Sequence, residues 1–172
     1  MGSLPISAGL IEWARSAGYS YSIESPGGAS IFWTEGGEDR IYLRPASEMP
    51  GWVTATEASR SGDESYFYEA DSLDVAERYL WGFFGAIFRD LQRMPRLPIP
   101  INIDAVADPY RIESHNGTHI LLRVNVPIMR AGPDITDIAV LVRTSYWLKV
   151  TVEDLERAYR DPEGRPLFSL GG

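Results

Sequence analysis

A chain of 172 residues, 44 % hydrophobic and 23 % charged, has the size and composition of one soluble globular domain spanning 1–172. Its formal net charge of -8 excludes the clustered Lys and Arg footprint of a nucleic-acid binder, disfavours anionic membrane surfaces and suits a basic protein partner. With no cysteine, disulfide frameworks and thiolate metal sites are excluded, and the opening MGSLPISAGLIEWARS lacks the charged and continuous apolar regions of a signal peptide, so a cytoplasmic protein is expected.

In chain order, residues 7–17 have helical spacing at Leu10, Ile11, Trp13, Ala14 and Ala17, with Gly18 suited to the stop. The period then changes to two. "YSYSIES" (19–25) alternates, "SPGG" (25–28) breaks it, and "ASIFW" (29–33) resumes. "TEGGED" (34–39) reads as a hairpin turn before "RIYLR" (40–44), and "GWVTATEAS" (51–59) and "ESYFYEA" (64–70) flank the turn "RSGD" (60–63). These five strands form an antiparallel meander. A long central helix over 72–92 follows, capped by Asp71 or Ser72 and ended by Pro95. "PRLPIPINIDAVADP" (95–109) is an extended connector. "YRIESHNGTHILLRVNV" (110–126) is a second hairpin with Asn-Gly at its turn, and "MRAGPD" (129–134) is read as a loop. A C-terminal helix pair, 135–148 and 151–161, has Thr151 as the second N-cap; "PEGRPLFSL" then turns Leu167, Phe168 and Leu170 back toward the core. The fold class expected is α+β, a mostly antiparallel sheet packed by helices.

Within the central helix, "ERYLWGFFGAIFRD" (77–90) packs five aromatic rings and two glycines into one run. The run is too short and too charged at its flanks for a membrane span, which needs about 20 apolar residues. Leu73, Ala76, Leu80, Phe83, Ile87 and Leu91 fall on one stripe, widened by Phe84 and Phe88, with Asp74, Arg78 and Arg89 opposite. Gly82 and Gly85 sit toward that polar side, although each costs about 1 kcal/mol against alanine in a helix. Either another backbone approaches closely there or the face is flat for a partner.

Candidate chemistry is sparse. His115 and His119 flank the Asn-Gly turn with only Glu113 as a nearby third ligand, so an ordinary exposed hairpin outweighs a metal site. No G-x-S-x-G elbow is present, and no spacing singles out a carboxylate pair. "SPGGAS" lacks the G-K-[ST] and the helix that phosphate cradling requires. The two C-terminal helices have the spacing of a helix-turn-helix, but Glu153, Asp154, Glu156 and Asp161 outnumber Arg157 and Arg160; two antiparallel helices closing the core are the better reading. No cofactor is expected.

Several segments resemble the immunity protein 61 family. They are "ERYLWGFFG" (Tyr79, Leu80, Trp81, Gly82, Phe83 and Gly85), "SYWLKVTVEDLERAYRDPEGRPLF" (145–168, with Gly164, Pro166, Leu167 and Phe168), the N-terminal helix with Trp13, and the hairpin "IFWTEGGEDRIYL" (31–43). The segment 93–135 offers no motif to match. The resemblance implies a non-enzymatic antitoxin that binds the NAD-degrading domain of a cognate secreted toxin, one-to-one, in the producing cell. No contact residue is carried over from the family. Charge and turn position single out Glu35, Glu38 and Asp39 in the first turn and Arg60 and Asp63 in the second as the toxin interface, at the same or opposite sheet ends. Two rivals remain: a small-molecule-binding or enzymatic domain with an aromatic-lined pocket holding several tyrosines, and a DNA-binding regulator using the C-terminal helix pair.

Overall fold

Eight antiparallel strands form one sheet, and four helices pack on it, in a computed structural model that describes residues 2–24, 28–168 and 170. Helix α1 (Ala8–Ser16) precedes a meander of β1 (Ser20–Ile23), β2 (Ser30–Trp33), β3 (Asp39–Pro45), β4 (Val53–Ser59) and β5 (Ser65–Ala70). The expected break at 25–28 lies largely outside the described residues. Helix α2 (Leu73–Leu91) leads through the connector, which carries one 3-10 turn at Ile103–Ala105, to β6 (Tyr110–His115), β7 (Thr118–Arg123) and β8 (Val126–Ala131). Helices α3 (Ile135–Trp147) and α4 (Val152–Arg160) complete the chain. The strand order is β1-β2-β3-β4-β5-β8-β7-β6, so two local meanders meet where β8 pairs with β5.

Strand β8 corrects the loop expected over 129–134. It is entered by a tight turn in which Val124 and Asn125 both have positive φ, 49° and 64°. A β-branched residue in that conformation is rare, so nothing local announces the turn. Pro127, which removes a ladder donor, also reads as a strand breaker; the ladder takes it at the register shift beside Leu122.

Alternation along the strands turns Phe32, Ile41, Leu43, Val53, Ala55, Tyr68, Ala70, Met129 and Leu121 inward. A register shift between Ala55 and Thr56 lets two consecutive residues, Phe67 and Tyr68, both be buried. Ser72 caps α2, its hydroxyl accepting from the Val75 N–H at 3.3 Å. Its buried arc is far wider than the one stripe the spacing suggested. Val75, Tyr79, Trp81, Gly82, Gly85 and Arg89 are buried, while Leu91 is 57 % exposed and Phe83 and Ile87 only half-buried. The reason is that α1, the sheet, and the α3–α4 pair take separate flanks of α2. The expected antiparallel packing of α3 on α4 is corrected too: α4 rests chiefly on α2, and α3 on α2 and on strands β7 and β8.

Both glycines are explained by rings, not by a passing backbone or an exposed flat face. A Cβ on Gly82 would lie 2.1–2.3 Å from the Trp147 indole of α3, and one on Gly85 2.5–2.7 Å from the Tyr159 ring of α4. Arg89 is likewise not on a polar face. It is 1 % exposed, and its guanidinium donates to the carbonyls of Pro95, Tyr159, Asp161 and Pro162. The terminal turn needs its glycine: Gly164 has φ 81°, and a Cβ there would meet Leu97 at 2.5 Å. That turn returns Leu167 and Phe168 to the core, as expected, with Phe168 6.3 Å from Tyr159 between ring centres.

Candidate functional site

The two charged turns singled out from sequence lie at the same end of the sheet and touch. The β2–β3 turn is a 3-10 piece, Glu35–Gly37, in which Gly36 (φ 71°) and Gly37 (φ 68°) adopt a backbone that side chains resist. Thr34 closes it, its hydroxyl accepting from the Asp39 N–H at 2.9 Å. Strand pairing sets Asp39 opposite Ser59, which brings the β4–β5 turn alongside. The Ser59 hydroxyl donates to Asp39 at 3.0 Å, and Arg40 donates to the carbonyls of Gly37 and Gly62 at 3.0 and 3.4 Å. Arg60 pairs with Glu38 at 3.5 Å, but both side chains are largely in solvent, where such a pair contributes little. Glu35, Glu38, Asp39, Arg60 and Asp63 are all exposed. What results is one acidic ridge built from two turns.

Behind the ridge a cleft of about 250 Å³ opens between Tyr19, Phe83, Asp39 and Glu57. Its negative field is concentrated. Partial burial, helped by the neighbouring charges of Asp137 and Asp39, pushes the Glu57 carboxyl above its ordinary pKa. Burial, with Asp39 and Glu57 adding to it, pushes the Tyr19 phenol up to about 12. Sequence reasoning missed Glu57 because strand alternation alone places it on the inward face; only the sheet's end leaves that face open.

This arrangement fixes the sign of a pH effect. A carboxyl whose folded pKa is raised binds its proton more tightly folded than unfolded, so its contribution to stability falls as pH rises past the ordinary carboxylate range. Glu57→Gln therefore raises the denaturation midpoint at neutral pH and leaves it unchanged well below the carboxylate range. Equal midpoints at neutral pH would remove Glu57 from a desolvated acidic cleft.

The sheet face turned away from α2 was also missed. Tyr42, Thr56 and Tyr66 stand in cross-strand register, and so do Arg44, Thr54, Glu69 and Arg130. Arg44 grips Glu64 through two hydrogen bonds of 2.6 and 2.9 Å and lies 4.9 Å from the Tyr42 ring; Arg130 lies 5.1 Å from the Trp52 ring. The polar half of the alternation in "RIYLR" and "VTATE" is the signal that marks this face.

The histidines do not converge. His119 shares a 2.6 Å hydrogen bond with the Ser114 hydroxyl, its cross-strand partner, while His115 belongs to the next pair and so points to the other face, 3.5 Å from Glu113. Among the described residues no group of three or more His, Asp and Glu is placed to hold a metal ion.

The family-motif residues serve packing, except Pro166, which is exposed. Tyr79, Leu80, Trp81, Gly82 and Gly85 are buried along α2, and Gly164, Leu167 and Phe168 fold the terminus back. A second cavity, also about 250 Å³, lies between α2, the connector, α3 and α4, and Tyr79, Trp147 and Tyr159 line it. An aromatic cavity with two tyrosines is the feature that the small-molecule alternative calls for. Among the described residues, no helix is long and apolar enough to cross a membrane.

Known proteins share this arrangement along nearly the whole chain. A family model described as Immunity protein 61 matches residues 13–167. The chain is 29 % identical over 167 residues to "Immunity factor for TNT" of Mycobacterium tuberculosis, covering 96 % of this chain and 93 % of that protein. "Immunity factor for TNT homolog" of Mycobacterium bovis matches with the same identity and coverage. Among solved structures, "Rv3902c from M. tuberculosis" superposes with a TM-score of 0.86 at 26 % identity, covering 98 % of this chain and 97 % of that one.

Proposed function

The chain belongs to the immunity protein 61 family, and from that membership we propose that it binds one cognate NAD-hydrolysing toxin domain, one-to-one, and blocks its substrate access in the cytoplasm of the producing cell. Proteins of this family inhibit toxins and are not enzymes. The observation that carries the finer reading is the acidic ridge. Glu35, Glu38, Asp39 and Asp63 stand exposed on one sheet end, on a chain of net charge -8, next to a cleft that Asp39 and Glu57 make acidic. A basic surface near a toxin's substrate channel complements such a ridge and is drawn to it before contact. An inhibitor of this type buries about 800 Å² on each partner.

The direct test titrates the purified chain against the NAD hydrolysis of a cognate toxin domain. Suppression at near-equimolar ratio is expected. A folded sample that leaves hydrolysis untouched would defeat the proposal. The ridge is tested separately by reversing Glu35, Glu38 and Asp39 to Lys. The association rate then falls by roughly tenfold at low salt, and the difference shrinks at about 0.5 M salt, where charges are screened beyond a few ångströms. Because these residues are exposed, the variant folds. An unchanged association rate would move the interface elsewhere while leaving the inhibitory function intact.

A further inference from the structure

The rings that settle over Gly82 and Gly85 bring two polar atoms inside, where the only group near either is the other. Trp147 Nε1 and Tyr159 Oη are buried without a hydrogen-bond partner, on side chains 2 % and 1 % exposed. Native interiors rarely leave donors unmet, because each forfeits its bond to water. Both residues line the second cavity, where Phe83, Ile87 and Leu97 supply apolar wall.

The charges around it are lopsided. Arg96 is neutralised locally by Asp90, 3.2 Å away. Arg143, exposed at the mouth, has no ion pair among the described residues. Burial raises the pKa of both the Tyr79 and Tyr159 phenols, against the pull of the Trp147 indole N–H on Tyr159 and of the Arg143 charge on both. They therefore keep their protons at neutral pH and remain donors. The cavity offers O–H, N–H and guanidinium groups against apolar walls, and Asp90, its one acid, is engaged by Arg96.

We propose that this cavity binds a small organic carboxylate on an apolar body, a site separate from the acidic ridge and independent of toxin binding. The carboxylate faces the Arg143 guanidinium and the Tyr79 hydroxyl. The body lies against Phe83, Ile87 and Leu97. Trp147 Nε1 and Tyr159 Oη lie sealed beneath the floor, exposing less than 1 Å² each, so the indole reports a ligand above it without bonding to it. Size agrees, since a dry cavity of about 150 Å³ already holds a benzene ring. Arg143 repels an amine of the same shape, and a neutral hydrocarbon leaves every donor unmet.

Benzoate is the probe. In a ¹⁵N-labelled sample the Trp147 indole N–H signal, assigned by its loss in Trp147→Phe, is expected to shift saturably as benzoate is added. Benzylamine leaves it in place. Arg143→Gln, an exposed change that folds, weakens benzoate by roughly tenfold, the size of one charge-assisted hydrogen bond. An indole signal that does not respond to benzoate would overturn the proposal, leaving water as the only occupant. So would benzyl alcohol binding as well as benzoate with Arg143→Gln unaffected, which would make the cavity an apolar void.

Discussion

Gly82→Ala lowers the unfolding free energy by roughly 1–2 kcal/mol, even though alanine is the better helix former. Two effects oppose one another. Alanine gains about 1 kcal/mol over glycine inside a helix. Against that, the new methyl would sit 2.1 Å from Trp147 Cε2 and 2.2 Å from Cδ2, well inside any contact distance. Overpacking of a filled interior costs about 1–3 kcal/mol and sometimes more. The indole cannot swing aside cheaply, because it is 2 % exposed and tilted against Tyr79 with ring centres 5.6 Å apart. Steric overlap wins. Gly85→Ala meets the Tyr159 ring at 2.5 Å and follows the same sign. Urea denaturation checks both, and the cycle with Trp147→Leu identifies the cause: the double variant regains part of the loss in Gly82→Ala. A Gly82→Ala protein as stable as the parent would refute the close approach.

Arg89→Met has the larger expected effect, a loss of about 3–5 kcal/mol, the cost seen when one partner of a buried polar network is removed. The guanidinium ties three segments together. Nε donates to Pro95 O at 2.7 Å, holding the start of the connector. One terminal nitrogen donates to Tyr159 O and Asp161 O at 3.1 and 2.6 Å, and the other to Pro162 O at 2.8 Å. Tyr159 O is one of the last carbonyls of α4, without a helical partner and at the negative end of its dipole, and Asp161 O and Pro162 O follow directly after the helix. Methionine fills most of the volume and leaves the Pro95, Tyr159 and Pro162 carbonyls without this donor. Arg89→Lys restores little, because a compact ammonium cannot reach a fan of carbonyls that a planar fork spans. Equal denaturation midpoints for Arg89→Lys and the parent would show that charge, and not the fork, is what this position requires.

Elements bounded by local chemistry were legible in the sequence: Ser72 and Thr151 cap their helices, and the glycine turns delimit the first meander. What escaped depended on residues far apart in the chain. Arg89 resembles any surface arginine until α4, some 70 residues later, presents its carbonyls. Strand β8 hides behind a valine in an unfavoured conformation and a proline. The charged turns were visible as separate tips, while their union into one ridge came from the pairing of Asp39 with Ser59. Glu57, Arg44 and Tyr66 became candidates only when the two faces of the sheet could be told apart.

The join between the two meanders also bears on how this protein opens. Within each meander neighbouring strands are close in sequence and form ladders of up to seven residue pairs, as between β3 and β4. Across the join, β5 and β8 share only three: Tyr68 with Ala131, Glu69 with Arg130, and Ala70 with Met129. Amide hydrogens along that join should exchange with solvent through a partial opening that spares both flanking ladders, with helix α2 as the strap between two cooperative units. Each half then assembles from near neighbours, and the slow step is their docking, which must bring β5 and β8 together across about 60 residues of intervening chain.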